Sequence, residues 1–263
     1  MNTDRHGWRK CKTTGKSISD LIRVHPCSSV VRICLFVFGL VVCQAVKAGP
    51  QPLHTNAPPV TAAITNTAIT KIDAGIFQIG KVRLDKNKRT VSFPASVNMR
   101  EGNIEYLLVH TTGKVHESLF KTETEPYHLK VAMLLLGAKG GVVKTKTPEK
   151  KTSEISGDRV DLFVTWKTNE TEMKFRAEDL VMDVETKATA ARGNWIYNGS
   201  RIIDGTFLAQ RDGSFVSTIA DPDALVNNPR PGRDNDDAWL VNTTNTPPVN
   251  TSVQIIFQLQ NGQ

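Results

Sequence analysis

The sequence predicts an α+β domain: a mainly antiparallel β-sheet with one main helix packed on it and a second short helix. Three observations carry this prediction. Apolar and polar residues alternate in one short segment after another, which is the period of a strand with one buried face. Among these segments, residues 127–136 stand out as apolar at helical spacing. No pattern recurs at a fixed period, which argues against a repeat architecture.

The elements follow in order. Val82 and Leu84 alternate with Lys81 and Arg83, residues 85–88 form a polar turn, and Val91 and Phe93 alternate with Thr90 and Ser92. Segments 103–110 and 114–120 flank Thr111, Thr112 and Gly113, a short hairpin connection with a glycine free to take positive φ. The main helix follows, with Thr124 as its cap, Pro126 in its first turn and Gly137 at its end. Its spacing turns Leu129, Ala132, Met133 and Leu136 toward the sheet. Residues 138–157, rich in lysine and glycine, form an exposed, solvated loop. Strands resume with Val160, Leu162, Val164 and Trp166 on one face, then at 195–197, 202–209 and 214–220. Asp221 and Pro222 open the second short helix over 221–227. The last strand, 251–259, puts Val253, Ile255, Phe257 and Leu259 on one side. These elements make one domain from about residue 70 to 260.

Upstream, residues 1–48 read as an export leader. The apolar run 33–43, extended to residue 46, falls short of the roughly 20 residues that span a bilayer. It has the length of a signal-peptide core, with Val46 and Ala48 as small residues before a cut ahead of Gly49. The competing reading keeps 33–46 as an inner-membrane anchor, the only route by which a membrane enters the picture. The basic stretch before the run is unusually long, and residues 1–29 are read as the product of a misplaced start. Residues 49–70, with four prolines among Thr, Asn and Ala, form a disordered linker.

The leader also takes the charge with it. The whole chain carries +7, but residues 1–48 hold eight Lys and Arg against two Asp and Glu, which leaves 25 basic and 24 acidic groups. The remaining domain is nearly neutral, so nucleic acid is not expected as a partner. All four cysteines, Cys11, Cys27, Cys34 and Cys43, lie in the leader too. The mature chain therefore lacks the thiols for disulfides, thiolate zinc sites, iron–sulfur clusters or cysteine catalysis. A periplasmic or secreted product is expected.

Several ordered blocks resemble the YdjY-like domain family. They are residues 101–109, 113–119 and 126–137, then Trp195 to Ser200, 221–229, and the closing Asp234 to Trp239 followed by 246–249. The resemblance implies an exported bacterial protein and brings no established activity. Some members carry a ferredoxin-like label, from which this chain departs because its mature part has no cysteine to hold a cluster.

Candidate chemistry is sparse, and no cofactor is expected beyond a divalent cation. His116 and Glu117 on a strand would face opposite sides, so both line one pocket only across a bulge. His128, at the start of the main helix, meets His116 if the helix start packs over the strand end. Two nitrogen ligands alone fall short of an ordinary zinc site. Asp221 and Asp223, then Asp234, Asp236 and Asp237, offer carboxylates for calcium but lack the spacing of the twelve-residue calcium loop. Arg230 and Arg233 stand ready to neutralise them. Ser200 has a glycine on one side only and is read as a turn residue rather than a nucleophile. Trp166, Trp195, Tyr197 and Trp239 serve either core packing or a binding groove. Two function classes result. The first is a non-catalytic exported module that binds an envelope component, a small ligand or a cation. The second is a metal-assisted hydrolase using His116, Glu117 and His128.

Overall fold

The structure, a computed structural model, describes residues 68–261. The leader, the cut between Ala48 and Gly49, and the linker as far as residue 67 lie outside the described residues.

Four strands open the domain as an antiparallel meander: β1 (Ile69–Asp73), β2 (Ile76–Ile79), β3 (Val82–Asp85) and β4 (Thr90–Val97). β5 (Tyr106–His110) and β6 (Ser118–Thr122) follow, and then helix α1 (Pro126–Leu135). A long hairpin joins β7 (Asp158–Thr168) to β8 (Thr171–Arg176), and β9 (Val181–Asp183) and β10 (Trp195–Tyr197) come next. Helix α2 (Leu208–Asp212), β11 (Ser214–Ser217), β12 (Val226–Asn227), β13 (Trp239–Val241) and β14 (Ser252–Leu259) complete the order, beside a few two-residue strands. Among the described residues, no helix is long and apolar enough to cross a membrane.

Eight of these strands close on themselves. Walking round the wall, β4 pairs β14, then β7, β10, β12, β11, β5 and β6, and β6 pairs back to β4 through Ser96↔Lys121 and Val97↔Phe120. The α+β reading, a sheet with one main helix packed on it and a second short helix, is thus overturned in favour of a mostly β domain built on a closed barrel. The physical reason lies in what covers the alternating apolar rows. Phe93 of β4 stacks on Phe257 of β14 at 5.7 Å and meets Phe215 of β11 at 5.6 Å. The buried faces of the strands therefore fill one another's interior rather than resting under a helix.

Helix α1 packs against β2, β3, β4 and α2. Leu129, Ala132 and Met133 are fully buried and Leu136 is nearly so. Its C-terminus closes as a Schellman motif: Gly137 takes φ +81°, its N–H donates to Leu134 O, and the Ala138 N–H donates to Met133 O. Thr124 does not cap the helix. Glu125 stands at the cap position without a side-chain hydrogen bond.

Three further expectations are corrected. The hairpin at 111–113 does turn, with the Gly113 N–H donating to His110 O, but a 3-10 turn at Val115–Glu117 then carries the chain back. β6 consequently runs parallel to β5, with Tyr106 opposite Ser118 and Leu108 opposite Phe120. The second helix forms at Leu208–Asp212, starting in the last two residues of the segment 202–209 read as a strand, where Ser200 Oγ accepts the Ala209 N–H and Gly213 ends it at φ +70°. The segment 221–227 is instead a turn leading into β12, which pairs parallel with β11. Side chains hold that turn open: Asn227 binds both the N–H and the carbonyl of Asp221, and Asn198 donates to Ala224 O. A helix would need those backbone groups for itself.

Candidate functional site

The parallel pairing of β5 and β6 builds the site. Because Tyr106 lies opposite Ser118, the residues just before them, Glu105 and Glu117, arrive side by side, and the Glu105 N–H donates to Glu117 O at 3.0 Å. Thr218 N–H and Ser217 Oγ hold the Glu105 carbonyl from β11 and the connection after it. Two carboxylates are thereby placed next to each other. Burial, and next the Glu117 charge, push the Glu105 carboxyl above the ordinary glutamate range, and Asp236 adds to the effect.

Lys114 answers this charge. Its Nζ lies 3.2 Å from Glu117 Oε1 and 3.7 Å from Glu105 Oε2, and it sits 5.1 Å from the centre of the Tyr106 ring. The Tyr106 hydroxyl donates to Asp221 Oδ2 at 2.9 Å, and burial raises both the phenol and the Asp221 carboxyl from their ordinary values. Asp221 also accepts the Asp223 N–H. Glu105, Tyr106, Lys114, Glu117, Asp221 and Asp236 thus form one electrostatic neighbourhood, with four carboxyls to one ammonium.

The expected site residues divide around this cluster. His116 stands beside it on the 3-10 turn, its Nε2 3.5 Å from Glu117 Oε2 and its side chain largely exposed. The opposed-face argument therefore does not apply, because the two residues are not on a strand. His128 has other neighbours: on α1 its ring lies against Gly80, and burial lowers its pKa while Glu125 opposes that shift. The Asp236 charge helps raise the Glu105 carboxyl, but Asp234 accepts the Ser153 N–H and Oγ–H from the 138–157 loop, and Asp237 accepts the Asn103 amide. Among the described residues, no group of three or more His, Cys, Asp and Glu is arranged to hold a metal ion.

The arginines are otherwise engaged. Arg230 binds the fully buried Glu178 at 2.8 Å and lies over the Trp195 ring, while Arg233 donates to the carbonyls of Ser153, Pro229 and Arg230. Ser200 is a turn residue at φ +59°, its hydroxyl donating to Asp223 O. Trp195, Tyr197 and Trp239 are core residues, each about 1% exposed, and Trp166 stacks on Phe175 at 5.0 Å.

A family model, the YdjY domain, matches residues 82–258, a span that holds the eight barrel strands save the last residue of β14 and every residue of the cluster. The chain belongs to the YdjY-domain family. No curated protein and no solved structure matches it. In this YdjY domain, sequence reasoning missed Glu105, Tyr106 and Lys114. The one available signal was that Glu105 and Glu117 each immediately precede a short apolar segment, which has no meaning until the two segments are known to run parallel.

Proposed function

We propose that the YdjY domain is an exported, non-catalytic binding module of the bacterial cell envelope, and that the Glu105–Glu117 cluster is where it takes a cationic group. Export rests on the leader pattern of residues 1–48, with a periplasmic or secreted product. The single observation that supports the site is the pair of adjacent carboxylates, joined by Asp221 and Asp236 and answered by one lysine. Placing like charges together is unfavourable unless a proton or a cation offsets it. The partner is then a cationic feature of an envelope component, a small cationic ligand or a divalent ion.

The metal-assisted hydrolase reading has less support. It needs His116, Glu117 and His128 around one ion, and only the first two share a neighbourhood. Titration calorimetry of the purified protein with calcium, manganese and a diamine separates the readings. Binding of one or more of these, weakened at least about tenfold in Glu117→Gln and unaffected in His128→Ala, is expected. Metal binding lost in His128→Ala would favour the hydrolase, and no binding of any cation would remove the module reading.

A further inference from the structure

We infer that the outer edge of β8 pairs antiparallel with the same edge of a second copy of this chain, about a two-fold axis at Met173. This is independent of the binding-module reading above. Among the described residues β8 pairs with β7 alone, so its far edge carries unpaired backbone groups. The β7–β8 hairpin also runs past the barrel wall. β14 pairs with β7 no further than Thr165, whereas β8 pairs with it as far as Thr168. At the other end of the large sheet, β1 is broken by an irregularity between Lys71 and Asp73 and offers a poorer template.

The turn of the hairpin decides which residues face outward. Asn169 and Glu170 both take positive φ, +47° and +65°, as a two-residue hairpin turn of this hand requires. Thr168 and Thr171 therefore close it as a hydrogen-bonded pair, and in alternation Met173 and Phe175 also commit their N–H and C=O groups to β7. Glu172 and Lys174 point theirs away from β7. Arg176, next in that set, agrees, because its N–H donates to Asp179 Oδ2.

A two-fold antiparallel pairing must set outward residues against outward residues, which leaves few registers. Centring on Glu172 opposes two carboxylates, and centring on Lys174 opposes two ammoniums. Centring on Met173 opposes Glu172 to Lys174 of the second copy, and the axis repeats that pair. Both side chains are exposed and free to meet. Charges on an edge strand ordinarily keep other chains away. Here they alternate, so one register satisfies them and like-charge contact disfavours its neighbours. On the opposite face Met173 and Phe175 are only partly buried against the core. The same register covers them, setting Met173 against its own copy and Phe175 against Thr171 of the second copy.

The test is sedimentation equilibrium of the full chain at up to about 100 µM, with reductant present because all four cysteines lie in residues 1–48. A concentration-dependent dimer is expected. Glu172→Lys alone and Lys174→Glu alone set like charges together, and each is expected to weaken it at least about tenfold. Mixing the two variants opposes two lysines to two glutamates, and a heterodimer is expected to form. A folding defect cannot produce that recovery. Lys174→Pro removes an outward N–H without touching the β7 ladder, so it is expected to give a folded monomer by thermal melt. If the unaltered chain stays monomeric, the interface is overturned. A dimer indifferent to both charge reversals and to Lys174→Pro uses another surface and overturns it equally. Loss in both single variants with no recovery on mixing overturns the pairing centred on Met173.

Discussion

Glu105 holds its proton to higher pH than an ordinary glutamate, and the sign of that shift sets how the cluster affects stability. Burial and the neighbouring Glu117 raise its pKa in the folded state. A carboxyl with a raised folded-state pKa binds more protons folded than unfolded. Its stabilising contribution is complete below the unfolded value, about 4.3, and is lost as pH rises through the folded value. Asp221, raised by burial, acts in the same direction. Glu105→Gln is therefore expected to flatten the fall in melting temperature from mildly acidic toward neutral pH. An unchanged pH profile would show that the pair is not coupled. At this scale the sequence was partly legible. Residue type alone marks His116 and Glu117 as chemistry-bearing and Ser200 as a turn residue. The partners that matter to Glu117 are Glu105 and Lys114, twelve and three residues away, and the separation to Glu105 has no local signature. His128 was misplaced because its helix packs on the β2–β3 turn rather than over the end of β6.

At the scale of elements, charged side chains do work that regular pairing does not. The segment 190–194 is tied down by Arg230, which donates to the carbonyls of Ala191 and Gly193, by Arg176, which donates to Gly193 O, and by Glu178, which accepts the Gly193 N–H. Arg176 also pairs with Asp161 and Glu178, so β7 and β8 join the network. Glu178 is fully buried. Its removal in Glu178→Ala strands Arg230 in the interior and is expected to cost about 3–5 kcal/mol. The double variant Glu178→Leu, Arg230→Met should lose distinctly less, as read by urea denaturation. Equal losses would mean that the stranded Arg230 charge is not what makes Glu178→Ala costly. The strands at Val82, Leu84, Val91 and Phe93, the helix at Pro126–Leu135 and the last strand were all visible as local periodicity. The failures share one cause. At 111–117 and at 221–227 local turn and cap signals were present, but the chain uses them to bring strands back parallel, a choice made by the neighbouring strands.

The molecule as a whole is organised by closure. Phe93 reaches Phe257 on the adjacent strand and Phe215 on a more distant one, so its ring joins separate parts of the wall through the interior. Phe93→Ala is expected to destabilise the domain by about 3–5 kcal/mol, measured by chemical denaturation. A loss under about 1 kcal/mol would mean that the interior is not packed as described. By itself the sequence determined the β-rich character, the existence and buried face of the main helix, and membership of the YdjY-domain family, because periodicity and motif wording are local properties of the chain. Only the tertiary structure decided that the strands close into a barrel, that β5 and β6 run parallel, and that Glu105 meets Glu117 beneath Lys114. An alternating strand reports that one face is buried but not what buries it. That depends on which strands pair, and pairing is settled by how all the apolar rows fill one interior together.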